Sequence, residues 1–254
     1  MCYPPGYTSL LGWEGVWQLL KSLYGLKQSS LIWYNLLCKV LGDLGFLRSE
    51  FDHAVFIFKC PWGGEQVHCL LAVHVDDGMA SCTLILFLTF IKGEIKKAFG
   101  IKDLNPLKIF LGVQFERNLE TCELWIHQEM FIDSLLAEYD LTNCNAVKTP
   151  LDSDHPFGCP TDVHVLVLDL TCVFQWIVGS LLFLQICSCP DISFAVLILS
   201  QHCASPEPCH FAAAKQVLQY LKGTRSYCLH YGGEKRHLPL SGLSDADWAG
   251  DKKD

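Results

Sequence analysis

Val67 to Thr83 reads VHCLLAVHVDDGMASCT. The run from Val67 to Val75 is apolar and rich in β-branched residues, the composition of a strand. Asp76-Asp77-Gly78 is a turn signal, and Met79 to Thr83 can return as the partner strand. Two adjacent carboxylates at the tip of such a hairpin can both approach one divalent ion. Mg²⁺ prefers oxygen ligands and retains several waters. A pair of such ions, ~3.5–4 Å apart, can activate an attacking hydroxyl and stabilise a leaving pyrophosphate. The same string also fits a solvated hairpin turn, so taken alone it leaves both readings open.

Working outward, Ala54 to Lys59 reads as the preceding strand, with Pro61-Trp62-Gly63-Gly64 as its turn. Apolar residues from Leu31 to Leu44 recur at spacings of three and four, which predicts an amphipathic helix. Ser29 or Ser30 would be its N-cap, and Gly45 its end. Leu84 to Phe99 has helical character after the hairpin. A second hairpin is expected from Ile109–Glu116 and Cys122–His127 around Asn118, followed by a helix over Gln128 to Tyr139. Three Pro and several Asp make residues 145–162 a linker. Helices are then expected over Trp176–Cys187, Ile192–His202 and Pro208–Lys222, the last ending at Gly223. Tyr227–Tyr231 and Leu238–Leu243 would pair around Gly232-Gly233.

A chain of 254 residues, half of them hydrophobic, can bury a sizeable core and is not a disordered one. No basic segment followed by a long apolar run opens it, so no secretory signal is read, and an intracellular location, cytoplasm or nucleus, is expected. Val163 to Cys187 is long and apolar enough to raise a membrane helix. His164, Asp169 and Gln175 interrupt it, so a core segment is the preferred reading, with no membrane partner. The 14 cysteines include no C-x-x-C pair, and reduced thiols are expected. Cys187, Cys189, His202, Cys203, Cys209 and His210 are of ligand type, but without paired spacing ordinary thiols outweigh a zinc site. The net charge of −8, with only Arg48, Arg117, Arg225 and Arg236 as arginines, argues against tight nucleic-acid binding by this chain alone.

Seven blocks, in order, resemble the reverse transcriptase of copia-type retrotransposon polyproteins. They are SLYGLKQ (22–28) with Trp33-Tyr34, LGFLRSEFDHAVF (44–56), VHVDD (73–77), KDLNPLKIFLGVQFER (102–117), VGSLLFLQICSCPDISFAV (178–196), HFAAAKQVLQYLKGT (210–224) and SDADWAGD (244–251). The resemblance implies an α+β fold. Residues 1–127 would form a partial palm with an antiparallel sheet and flanking helices, 128–240 a helical thumb and connection, and 241–254 the start of ribonuclease H. It implies that Asp76 and Asp77 are two of three polymerase carboxylates, with Asp76 holding both ions. Asp245 would be the first metal-binding carboxylate of ribonuclease H, with Asp247 a lesser helper. Gly25 and Gln28 would lie near the incoming nucleotide or template. The implied cofactor is Mg²⁺, and the implied partners are an RNA or DNA template with primer, deoxynucleoside triphosphates and the remaining polyprotein segments.

The pattern is not matched everywhere. The family's third polymerase carboxylate lies upstream of a Pro-Pro-Gly stretch, here Pro4-Pro5-Gly6, and ribonuclease H would continue past Asp254. The expectation is therefore a polymerase region inactive alone, the other reading being a non-catalytic remnant, inert or acting as a binding module. His74 stands where Tyr is usual, Cys189 and Gln216 where Arg is usual, and Leu31 near another usual Arg. Each Arg lost removes a phosphate or carboxylate partner. Our hypothesis is a decaying element copy, since methylated CG-containing Arg codons mutate readily to Cys, Gln or His codons. It loses its support if the codons of Cys189 and Gln216 are not one transition from CGN.

Overall fold

The apolar spacing between Leu31 and Leu44 does produce a helix, α1 (Ser29–Asp43). Leu37 and Leu41 are its buried positions. Neither serine caps it. Gln28 is the N-cap and makes no side-chain cap bond, while the Ser29 hydroxyl turns back to the Leu23 carbonyl. The C-terminal expectation holds, with Gly45 at φ 86° and the Phe46 N–H donating to the Leu41 carbonyl. This computed structural model describes residues 20, 22–23, 25–104, 106–151 and 168–232. They fall into two compact units, 1–105 and 106–254.

In the first unit, β1 (Leu47–Arg48), β2 (Val55–Trp62), β3 (Glu65–His74) and β4 (Asp77–Cys82) form one antiparallel sheet in sequence order. Alternation along β3 buries Val67, Cys69 and Leu71. These residues meet Leu37 and Leu41 of α1 and Phe87 and Ile91 of α2 (Ile85–Phe99), so both helices lie on one face of the sheet. Phe87 is the hub, with its ring 4.4 Å from that of Phe58 and edge-on to Trp62 at 5.4 Å. Fully burying side chains of this kind contributes roughly 1.5–3 kcal/mol each. Among the described residues nothing packs on the other face, where Ile57 and Leu70 are exposed.

The turn expected at Pro61–Gly64 is shorter than the sequence suggests. β2 runs through Pro61 and Trp62, and Gly63-Gly64 alone make the loop, at φ 61° and 89°. Positive φ at both loop residues is the hairpin geometry that Gly supplies without strain. Pro61 is tolerated because it pairs with Gln66 between hydrogen-bonded pairs, where its missing N–H faces an edge that β1 does not reach.

In the second unit, β5 (Ile109–Phe110), β6 (Val113–Asn118), β7 (Glu123–His127) and β8 (Leu229–Tyr231) form another four-stranded antiparallel sheet. Asn118 shapes the β6–β7 loop, its Oδ1 accepting from the N–H groups of Glu120 and Thr121. β8 pairs with β7, where pairing with a following strand was expected; Leu238–Leu243 lies outside the described residues.

The rest of this unit is helical: α3 (Glu129–Glu138), α4 (Leu168–Cys187), α5 (Ser193–Ser200) and α6 (Pro208–Thr224). The sequence is apolar all round α4, as a central helix requires. Phe174, Val178, Leu181 and Leu184 are buried in a core shared with α3, α5 and α6. Among the described residues no helix is long and apolar enough to cross a membrane. Pro208 opens α6 behind a reciprocal cap in which the Glu207 N–H donates to His210 Nδ1 at 2.9 Å. Gly223 does not end α6, which continues to Thr224. A Cβ there would come within 3.1 Å of the Ala146 side chain, so glycine at this position admits a close approach of the chain.

Candidate active site

The β3–β4 hairpin is built from the inside out. Val67, Cys69 and Leu71 anchor β3 in the core, and His74 pairs with Asp77 to close the loop. The two loop residues are therefore Val75 and Asp76, one position earlier than the Asp-Asp-Gly string suggests, and Asp77 is the first residue of β4. Burial fixed the register: placing Val67, Cys69 and Leu71 inward sets where β3 must end. Val75 is at φ 52°, a conformation costly for a β-branched residue. Strain of this kind concentrates where a loop has a task besides connection.

Asp76 and Asp77 are both exposed. Among the described residues neither carboxylate takes part in a hydrogen bond or ion pair. His74 lies directly opposite Asp77, and their side chains share the open face of the sheet. Oxygen donors that are exposed and otherwise uncommitted suit a hard divalent cation. Among the described residues no group of three or more His, Cys, Asp or Glu is placed to hold a metal ion. The Cys/His cluster between 187 and 210 is no exception. There His202 stacks on His210 at 3.8 Å and Cys189 is buried beside the Ser188 hydroxyl. Cys209 is disulfide-bonded, a departure from the expected reduced thiols, while Cys187, Cys189 and Cys203 are free.

Gly25 and Gln28 lie in the turn that leads into α1. Gly25 is at φ 89°, Gln28 is the N-cap, and both are exposed. No hydrogen bond among the described residues joins either to Asp76 or Asp77. Asp245 and Asp247 lie outside the described residues. Sequence reasoning missed the position of Val75, because it took Gly78 as the turn residue. The signal available was the inward parity of β3.

Comparison with known proteins places this hairpin in a lineage. Residues 1–153 match the family model described as reverse transcriptase (RNA-dependent DNA polymerase). The chain is 33% identical over 239 residues to the Retrovirus-related Pol polyprotein from transposon TNT 1-94 of Nicotiana tabacum, covering 93% of this chain and 18% of that protein. It is 33% identical over 254 residues to the Retrovirus-related Pol polyprotein from transposon RE1 of Arabidopsis thaliana, covering 100% of this chain and 17% of that one. With a Putative transposon Ty5-1 protein of Saccharomyces cerevisiae, identity is 32% over 228 residues, 90% of this chain and 71% of that protein. The chain thus spans less than a fifth of the two Pol polyproteins. No solved structure matches it. The chain belongs to the reverse transcriptase (RNA-dependent DNA polymerase) family, as a region of a copia-type retrotransposon Pol polyprotein.

Proposed function

We propose that this region serves template-directed DNA synthesis on a primer 3′ hydroxyl, within a longer polyprotein, and does not catalyse it alone. The observation that carries this reading is the pair of exposed, uncommitted carboxylates, Asp76 and Asp77, held at the tip of a strained hairpin whose strands are anchored in a core. Asp76 and Asp77 would hold Mg²⁺, with Asp76 the better shared ligand. When bound, the metal pair supplies activation of the primer hydroxyl and charge stabilisation for the leaving pyrophosphate. The chain's own contribution is orientation: pairing of His74 with Asp77 fixes where the carboxylates project. The open sheet face below them gives a template–primer duplex a place to lie.

On this reading residues 1–127 act as a partial palm, 128–240 as thumb and connection, and 241–254 as the start of ribonuclease H, with Asp245 its first metal ligand. Gly25 and Gln28 border the nucleotide or template. Inactivity alone is supported by the lack of a third metal-binding side chain beside the pair among the described residues, and by a net charge of −8 that opposes phosphate binding.

Primer extension with the purified chain, Mg²⁺ and deoxynucleoside triphosphates tests this. The expected result is no incorporation. Incorporation that disappears in Asp76→Asn overturns the inactivity and leaves the metal assignment standing; incorporation that survives Asp76→Asn overturns both. The second reading, a non-catalytic remnant, is favoured by the lack of a third ligand among the described residues and by Leu31, which is 61% exposed on α1 near a usual Arg position.

A further inference from the structure

Cys69 and Cys82 face each other across the hairpin that carries Asp76 and Asp77. His74 and Asp77 flank a two-residue loop and exchange the hydrogen bonds that close it, and antiparallel pairs then alternate in type. Counting back, Cys69 and Cys82 occupy a non-hydrogen-bonded site. The next pair agrees, since the Thr83 N–H donates to the His68 carbonyl at 3.0 Å. At such sites Cα atoms stand roughly 4.5 Å apart with side chains turned toward each other. A disulfide spans Cα separations of about 4.4–6.8 Å. Cys82 Sγ donates to the Leu84 carbonyl at 3.3 Å, and both thiols are free.

We propose that Cys69 and Cys82 form a reversible disulfide, a redox-responsive staple across the strands that present the carboxylate pair. The oxidant is a small disulfide such as oxidised glutathione. The Cys82 thiolate, half-buried where Cys69 is buried, attacks one sulfur of the oxidant and expels the first glutathione thiolate. The Cys69 thiolate then attacks Cys82 Sγ, forms the Sγ–Sγ bond and expels the second. The two protein thiols lose two protons and two electrons, and the oxidant is reduced to two thiols. Burial, with Cys82 beside it, pushes the Cys69 thiol up to about 12, so closure is the slow step and quickens with pH. Such transient pairs are the form disulfides take in reducing compartments. The staple does not depend on polymerase activity, and its test does not measure it.

The purified chain is incubated with oxidised glutathione, alkylated, and cut at acidic residues. Cleavage at Glu65 and at Asp76-Asp77 places Cys60, Cys69 and Cys82 on separate peptides. The expected product is a Cys69–Cys82 linked pair, two hydrogens lighter than its parts, that dithiothreitol separates. In Cys69→Val, which preserves the apolar packing, Cys82 should accumulate as an unresolved mixed disulfide. Cys82 linked to Cys60 or Cys38, a mixed disulfide at Cys82 that persists in the unsubstituted chain, or no oxidation of either thiol each overturns the proposal.

Discussion

Val75 is a branched residue held at φ 52°. A left-handed conformation costs an L-residue roughly 1–2 kcal/mol, and glycine avoids that cost at an entropic penalty of about 0.5–1 kcal/mol. Val75→Gly should therefore raise stability by up to about 1 kcal/mol, read as a higher urea midpoint with an unchanged slope. A lower midpoint would show that the valine side chain contributes more than its backbone costs. Tyr220 offers a pH-dependent counterpart. Burial raises its phenol from 10.0 to about 12, helped by the hydrogen bond its hydroxyl donates to Asp191 Oδ2 at 2.7 Å and by the charge of that carboxylate. The folded state thus favours the protonated phenol. Its contribution is full below pH 10 and is lost as pH rises toward 12. Alkaline unfolding of Tyr220→Phe should lack that component. The aspartate pair was legible as a unit because adjacency needs no structure. Which of the two sits in the loop was not, because register depends on which β3 residues the core takes in.

At the scale of elements, local patterns told most where local physics decides. The three-and-four spacing located α1, and Asn118 located the β6–β7 loop. Tertiary contacts overrode local signals elsewhere. Pro61 looked like a strand end, but β1 does not reach the edge beside it and β2 continues. Gly223 looked like a helix stop, but its role is the approach of Ala146. Gly232, just after β8, has the strictest requirement. It is at φ 96°, and a Cβ on it would collide with the Cys122 carbonyl oxygen. Gly232→Ala should separate β8 from β7 and speed amide exchange along Leu124–Ile126, while exchange in β2–β3 stays unchanged. Equal protection in both sheets would contradict the pairing.

At the scale of the molecule, the described residues form two hydrophobic clusters with no member in common. Leu181, fully buried at the centre of the second, should cost roughly 2–5 kcal/mol when cut to alanine. The loss should appear in the unfolding of residues 106–254, with amide protection around Phe87 unaltered. A uniform loss across both units would mean that they unfold as one. Composition announced that a core exists, but not that it is divided, because division depends on which helices meet which sheet.

The pairing of β8 with β7 has a consequence for how the chain is made. His230 reaches Glu123 across 107 residues of sequence. Synthesis proceeds from the N-terminus, and closing so long a loop is slow. The sheet bearing Asp76 and Asp77 has all its strands once Cys82 has left the ribosome, whereas the other sheet waits for Tyr231. A nascent chain stalled between those points would present β7 as an open edge, ready to pair with a neighbouring chain.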